Sequence, residues 1–307
     1  MNHFAPLAPE PLDVVVVGEA LIDIVNSPAG QTEYPGGSPA NVAYGLGRLD
    51  VKAGLLTAVG RDSRGESIAA HLASAGVVVL PGSQSLAKTA TATAEIAADG
   101  SAEYTFDIEW KLGPAALPYA PKVLHTGSIA TFLEPGAGVV RTLMEQAQGG
   151  SIVTYDPNIR TDLLGSHGEA LGIFEDLVPL TSVVKLSDDD AFWLYPGKSL
   201  EETANHILGL GTGLAVVTRG AQGSLMATPH TQLTVPAVTS VVADTIGAGD
   251  SYMSALILGL LLRGSQGLAP TVLERIGQTA SMAASITVGR PGANPPTHRE
   301  LLAGMAR

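Results

Sequence analysis

Residues 13–18 read Asp-Val-Val-Val-Val-Gly, four β-branched side chains in succession that end at a glycine. An unbroken apolar run of this length is typical of a strand inside a parallel sheet, where both faces are covered. Short runs of the same kind recur along the chain, at Ala53 to Val59, Lys122 to His125, Ser151 to Tyr155, Ser182 to Leu186 and Leu214 to Thr218.

Helical stretches such as Gly65 to Ala75 and Gly136 to Gln148 separate these runs. Alternation of strand and helix over most of a chain predicts an α/β fold with a doubly wound, mostly parallel sheet that is flanked by helices. No internal repeat and no Pro/Ser-rich linker marks a boundary. We therefore expect residues 1–307 to form a single domain.

One segment departs from this rhythm. Thr89 to Ala97 alternates threonine with alanine, Asp99-Gly100 is a turn signal, and Ala102 to Phe106 returns. Period-two alternation joined by Asp-Gly predicts a hairpin. Because it has little bulk on either face, we expect it at an edge, either as a lid or as an ordinary edge hairpin.

Composition excludes several classes of protein. The chain has 17 Lys and Arg against 29 Asp and Glu, a formal charge of −12, and no basic run to offset phosphate repulsion from nucleic acid or an anionic membrane. It has no cysteine, which excludes disulfides and thiolate chemistry. Met1 to Pro11 lacks a signal-peptide pattern, and Ala255 to Leu262 is far shorter than the ~20 residues of a membrane span. We expect a cytoplasmic protein.

The most specific motif is Asp244-Thr-Ile-Gly-Ala-Gly-Asp250, which an apolar run to Leu262 follows. Gly247 and Gly249 let backbone N–H groups converge at a helix start, where they form an anion site. Asp250 would repel that anion, unless it takes a proton from an attacking hydroxyl while the amides hold a transferring phosphoryl group. The alternative is that Asp250 only caps the helix.

A second motif is Gly36-Gly-Ser-Pro-Ala-Asn41. Paired glycines permit a ligand to approach the backbone, and Asn41 falls in the first turn of the following helix, where it offers a donor and an acceptor to a polyol. Asp23 follows the first strand, at the edge where open α/β sheets bind ligands. A plain helix start and a turn aspartate are the alternatives.

Three further segments carry polar groups past strand ends. Tyr155-Asp-Pro-Asn-Ile-Arg160 suits a hydroxylated or anionic ligand, and Thr218-Arg-Gly-Ala-Gln-Gly223 has glycines that can approach a nucleotide. Lys185 and the triplet Asp188-Asp189-Asp190 are candidates for contact with phosphate or metal, with a solvated acidic helix start as the alternative. The phosphate-binding fingerprints of P-loop and dinucleotide-binding proteins are absent.

Taken in order, these segments resemble the ribokinase-like (PfkB) carbohydrate kinases over nearly the whole chain. The most specific pieces are Gly36 to Asn41, which runs on to Val59-Gly-Arg-Asp62, and Asp244 to Asp250. The resemblance implies a large α/β domain with a small β-lid, formed by about 89–106 and part of 26–36. It also implies Mg-ATP as phosphoryl donor, a sugar as acceptor and Asp250 as the base.

The same resemblance assigns roles to single residues. It implies sugar contacts from Asp23, Gly37, Asn41 and Arg160, and an anion hole from Gly247, Ala248 and Gly249. It implies ATP contacts from Thr218, Gly220 and Gly223, to which we add Lys185, and a Mg²⁺-linked role for Asp190. Many members hold a potassium ion through backbone carbonyls, and the matching positions here are Asp244, Ile246, Thr287, Arg290 and Gly292.

Within the family, Pro39-Ala-Asn41, His125-Thr-Gly-Ser-Ile129 and Asp156-Pro-Asn-Ile-Arg160 look most similar to bacterial fructokinases. We therefore expect D-fructose to be converted to fructose 6-phosphate. The alternatives are a 2-keto-3-deoxygluconate kinase, whose substrate carboxylate would pair with Arg160, and a sugar-binding regulator on a kinase fold. Family members often form homodimers through the lid.

Overall fold

The computed structural model describes residues 11–27, 30–96, 102–115, 117 and 119–306. Nine of its strands form one large sheet, and four form a second. The strands in chain order are β1 Val14–Val17, β2 Leu21–Ser27, β3 Gly30–Gly36, β4 Ala53–Leu56, β5 Val78–Val79, β6 Thr91–Ile96, β7 Ala102–Asp107, β8 Val123–Gly127, β9 Ile152–Asp156, β10 Val183–Ser187, β11 Leu214–Thr218, β12 Ser224–Thr228 and β13 Thr231–Val235. The helices are α1 Ser38–Arg48, α2 Ser63–Ser74, α3 Gly136–Ala147, α4 His167–Leu177, α5 Asp188–Leu194, α6 Leu200–Gly209, α7 Ala248–Arg263, α8 Pro270–Val288 and α9 His298–Met305.

The large sheet has the strand order β13-β12-β11-β10-β9-β8-β1-β4-β5. Every pairing from β5 to β11 is parallel, and β12 and β13 add an antiparallel edge. All six predicted apolar runs are strands of this sheet. The predicted doubly wound, mostly parallel α/β fold is therefore confirmed.

The valine run at β1 shows why these strands are apolar on both sides. Val14 and Val16 pack into a core with helices α1, α2, α7 and α8, while Val15 and Val17 pack into a second core with α3, α4, α5 and α6. Side chains alternate across a strand, so a strand with helices on both faces needs an unbroken apolar run. Within the described ranges, no helix is long and apolar enough to cross a membrane.

The second sheet has the order β3-β2-β6-β7, and we call it the small sheet. Its β6–β7 pair is antiparallel, with Thr91 opposite Asp107, which confirms the predicted hairpin. The expected turn at Asp99-Gly100 lies outside the described residues. The same holds for residues 1–10, which belong to the segment where we expect no signal peptide. Asp23, which follows β1 as expected, is the third residue of β2 in the small sheet, so the alternative of a turn aspartate does not apply.

Candidate active site

Helix α7 begins in the Asp244 to Asp250 motif. Gly247 is its N-cap at φ 74°, and a Cβ there would lie 2.7 Å from the Cβ of Ala293, so both conformation and space require glycine. No side chain of the described residues caps this helix. Among the described residues, Ala248 N donates to the carbonyl oxygen of Thr245 at 3.3 Å, whereas Gly249 N has no hydrogen-bond partner. The free amide is available to an anion, and the positive end of the helix dipole favours one.

Asp250 lies in that first turn, and its carboxylate points at helix α1. Ser38 Oγ donates to Asp250 Oδ1 at 2.7 Å, and Asn41 Nδ2 donates to Oδ2 at 2.9 Å. The alternative that Asp250 only caps α7 does not apply, because its oxygens accept from another helix and not from its own backbone. The chain pairs two segments more than 200 residues apart to hold one carboxylate.

The surroundings of Asp250 act on its charge in both directions. Burial raises the pKa of this carboxyl group, while hydrogen bonds from Ser38 and Asn41 and the charges of Lys185 and Arg160 lower it. The residue is still partly exposed. It is therefore a carboxylate that a ligand can reach and that donors hold in place.

Asp23 approaches the same cleft from the small sheet. Gly36 lies beneath it, since a Cβ on Gly36 would stand 2.0 Å from Asp23 Oδ2. Burial raises the pKa of Asp23 to about 6, the charge of Arg160 lowers it, and the charge of Asp250 raises it. The charges of Asp23, Arg160 and Asp250 thus lie close enough to affect one another. On α1, Asn41 contacts Asp250 directly, and Gly37 is the N-cap.

Arg160 is exposed, and its Nη1 donates to its own neighbour, the carbonyl oxygen of Ile159, at 3.0 Å. Among the described residues no carboxylate forms an ion pair with it. Asn158, two residues earlier, has a left-handed φ of 39°, which turns the backbone after β9. The guanidinium is therefore a charged donor at the cleft that remains free to bind a ligand.

Asp156 and Lys185 form a buried ion pair. Lys185 Nζ donates to Asp156 Oδ2 at 2.7 Å, and both side chains are almost fully buried. Burial raises the pKa of Asp156 to about 6, although Lys185 opposes this. A Cβ on Gly249 would lie 3.2 Å from Lys185 Nζ. A buried positive charge therefore lies directly beneath the anion site.

The predicted nucleotide-binding positions follow strand β11 at the carboxyl edge of the sheet. Thr218 ends β11 and is half-buried, and Gly220 is exposed at φ 49°. Gly223 is buried, and a Cβ there would lie 2.0 Å from the carbonyl oxygen of Val235. The turn into β12 alone therefore requires glycine at 223, whether or not a nucleotide lies beside it.

Asp190 uses both carboxylate oxygens on backbone groups. Oδ1 accepts from Ile159 N at 2.9 Å, and Oδ2 accepts from Ser187 N at 3.0 Å in a capping box of α5. It thereby ties α5 to the segment that carries Arg160. In the part of the chain that the structure describes, no three acidic or histidine side chains form a metal site. A Mg²⁺ ion here would depend mainly on phosphate oxygens and water.

The positions matched to a monovalent cation lie in the loop before α7, in the last turn of α8 and in the loop that follows α8. Asp244 joins them, because its Oδ2 accepts from Gly292 N at 2.8 Å while its Oδ1 accepts from Ile246 N at 3.0 Å. The side chains of Thr287 and Arg290 also have protein partners, Ser251 and Glu300 respectively. The backbone carbonyl oxygens of these segments remain to hold a cation.

Two residues of the site were not predicted. Ser38 stands inside a quoted motif, but its sequence position suggests only a helix start. Glu19, between β1 and β2, is buried, and its Oε2 accepts from Ala130 N at 3.2 Å. Burial raises the pKa of Glu19 to about 8. An acidic residue next to a buried strand was the one signal that could have found it.

A helix start that suits an anion, with a reachable carboxylate beside it, is the arrangement expected of an enzyme that transfers a phosphoryl group to a hydroxyl. The pfkB family carbohydrate kinase profile matches residues 12–299. The chain belongs to this family, and it is a carbohydrate kinase.

One named relative and two solved structures are similar to this chain over nearly its whole length. Fructokinase-1 of Oryza sativa subsp. japonica is 32% identical over 313 residues, covering 94% of this chain and 96% of that protein. The fructokinase of Vibrio cholerae O395, in a fructose, ADP and calcium ion bound form, is 25% identical with a TM-score of 0.81, covering 96% of this chain and 98% of that one. The fructokinase of Xylella fastidiosa with bound ATP has a TM-score of 0.83 at 24% identity over 96% and 98% of the chains.

Proposed function

We propose that this carbohydrate kinase is a fructokinase, which transfers the γ-phosphoryl group of ATP to D-fructose and forms fructose 6-phosphate. The observation that carries the chemistry is the position of Asp250, held by Ser38 and Asn41 at the uncapped start of α7. The choice of sugar is supported by relatives named fructokinase at about one third identity and by the segment that ends at Arg160.

Mg-ATP supplies the phosphoryl group when it is bound. The sugar hydroxyl oxygen attacks the γ-phosphorus, its O–H bond breaks, and the proton passes to the Asp250 carboxylate. The bond from the γ-phosphorus to the leaving oxygen breaks, and its electron pair stays with ADP. The backbone N–H groups of Gly247, Ala248 and Gly249 hold the charge that develops on the transferring group, aided by Lys185 below them.

The remaining predicted residues bind and orient the two substrates. In this proposal Asp23, Gly37, Asn41 and Arg160 contact the sugar, while Thr218, Gly220 and Gly223 lie along the nucleotide. Asp190 acts on Mg²⁺ only indirectly, because its carboxylate holds the segment that carries Arg160 against α5. Backbone carbonyls of Asp244, Ile246, Thr287, Arg290 and Gly292 would hold a potassium ion that stiffens the anion loop.

The small sheet is proposed as the lid of one domain, residues 1–307. It carries Asp23 into the cleft, so its closure would bring that carboxylate onto the sugar and exclude water. Tyr34 and Tyr104 on the small sheet are 55% and 61% exposed. Such exposed rings favour a homodimer through the lid, which is the arrangement that we propose.

The state of Arg160 supports a second candidate substrate. Arg160 is exposed and pairs with no carboxylate of the described residues. A free guanidinium suits the carboxylate of 2-keto-3-deoxygluconate as well as a neutral hydroxyl. That sugar acid is the second candidate.

The experiment is a panel of sugars with Mg-ATP and KCl, read by ADP release. The panel contains D-fructose, 2-keto-3-deoxygluconate, D-ribose and D-glucose, and we expect the highest kcat/KM with D-fructose. A clear preference for the sugar acid would replace fructose by the second candidate, and a preference for ribose would contradict both. Exchange of KCl for choline chloride measures the dependence on potassium.

A further inference from the structure

Ser38 makes a contact that its place in the helix does not require. Serine at a helix start usually caps the N-terminus, but the N-cap of α1 is Gly37, and no side chain of the described residues caps this helix. Ser38 Oγ instead donates to Asp250 Oδ1, 212 positions along the chain. Because Ser38 is only 9% exposed, water does not compete freely for this hydroxyl.

Asn41 completes the arrangement from the same turn of α1. It follows Ser38 by three residues, a spacing that places both side chains on one helix face. The two donors bind different oxygens of one carboxylate, which fixes its rotation. A carboxylate has about four lone-pair positions, so each oxygen keeps one for the proton of a substrate.

These donors also affect whether Asp250 carries a charge. Burial raises the pKa of Asp250, and the hydrogen bond from Ser38 opposes this most strongly, followed by that from Asn41. A hydrogen bond to the charged form of an acid favours ionisation. Only the ionised carboxylate accepts a proton, so loss of the Ser38 hydroxyl shifts the equilibrium of Asp250 toward its protonated, inactive form.

We infer that Ser38 is a positioning residue for phosphoryl transfer: its hydroxyl holds the Asp250 carboxylate in the orientation that the acceptor hydroxyl requires. This role rests on the proposed function of Asp250 as the base. Serine suits it because a hydroxyl both donates and accepts. Ser38 therefore stays in contact with Asp250 after the carboxylate takes the proton, whereas the amide nitrogen of Asn41 only donates.

The test compares pH profiles of kcat/KM for the parent, Ser38→Ala and Ser38→Thr with D-fructose or the best sugar of the panel. We expect Ser38→Ala to move the acidic limb to higher pH and to lower kcat about 10-fold at pH 7, the effect of one lost hydrogen bond to a charged group. At alkaline pH, where Asp250 is ionised in both proteins, only the loss that comes from orientation should remain. Ser38→Thr keeps the hydroxyl and should restore the acidic limb.

The control is Ser74→Ala, at an exposed serine whose Oγ donates to the carbonyl oxygen of His71. It should match the parent throughout. An unshifted acidic limb in Ser38→Ala would overturn the inference about Ser38. If Asp250→Asn nevertheless lost turnover, the proposed role of Asp250 as the base would be unaffected. Full turnover in Asp250→Asn would instead remove the base itself. If Ser38→Ala proves unstable, Ser38→Cys keeps the bulk with a weaker donor, and its acidic limb must shift in the same direction.

Discussion

The ammonium nitrogen of Lys185 lies 2.7 Å from Asp156 Oδ2, and the two side chains are 5% and 2% exposed. Burial alone would lower the pKa of Lys185, but the charge of Asp156 and its hydrogen bond raise it above the ordinary value. The lysine therefore stays charged beneath Gly249. A positive charge at this depth attracts an anion held by the loop, and the sheet fixes its position.

Lys185→Met should destabilise the protein strongly, because it leaves the buried Asp156 carboxylate without its partner. We expect the free energy of unfolding in urea to fall by about 3–5 kcal/mol. The control is Lys122→Met, at an exposed pair with Asp13, where the loss should stay below about 1 kcal/mol. Equal effects of the two substitutions would show that the Lys185 pair has no special role.

Arg160→Ala should raise the KM for sugar by about 10-fold or more, since one to two charged hydrogen bonds are lost at about 1.5–3 kcal/mol each. The KM for ATP should change little. Arg141→Ala provides the control, because that arginine is exposed and pairs with Glu145 on its own helix. Steady-state kinetics at saturating cosubstrate measure both constants, and an unchanged sugar KM would remove Arg160 from the binding site.

Glu19 predicts a specific dependence of stability on pH. The pKa of Glu19 rises from an ordinary 4.5 to about 8 on folding, so between these values the folded state binds a proton that the unfolded chain has lost. The free energy of unfolding must therefore fall as pH rises through this window. Glu19→Gln removes this titration. As pH rises from 5.5 to 8, the Tm of the variant should therefore increase relative to the Tm of the parent. Parallel Tm curves would contradict the assignment.

The small sheet should lose hydrogen-exchange protection before the large sheet does, and it should gain protection when sugar binds. A lid that closes over its ligand is drawn from the less stable part of a fold. Mass spectrometry of strands β6 and β7, with and without sugar, measures the change. Strands β12 and β13 form an edge hairpin of the large sheet and should not respond. Equal protection of the small sheet in both states would favour an ordinary edge hairpin.

The strand runs and the loop-to-helix motifs could be predicted because their signals are local. Four consecutive valines require cover on both faces, and two glycines before an apolar helix indicate a strained turn whatever lies elsewhere. Gly247 and Asp250 were found in this way. The hairpin could be predicted from its alternation, whereas the pattern of the sequence did not single out β2, the strand that carries Asp23.

Contacts between distant segments could not be predicted. Ser38 and Asp250 are 212 positions apart, and nothing in either motif names the other. The inward turn of Asp156 toward Lys185 was missed for the same reason, since a polar residue at a strand end can face either the ligand or the core. Glu19 is a buried acid that accepts a hydrogen bond from Ala130 N, 111 positions along the chain, and its sequence neighbours do not reveal this donor.

Asp250→Asn tests the central claim most directly. Asparagine keeps the shape of the side chain and can still contact Ser38 and Asn41, but it cannot take the proton of the acceptor hydroxyl. We predict that kcat falls by about 10²–10⁴, the usual contribution of a general base, while Tm and ATP affinity stay close to those of the parent. Turnover within a few-fold of the parent, measured by ADP release with the preferred sugar, would contradict the assignment of Asp250 as the base.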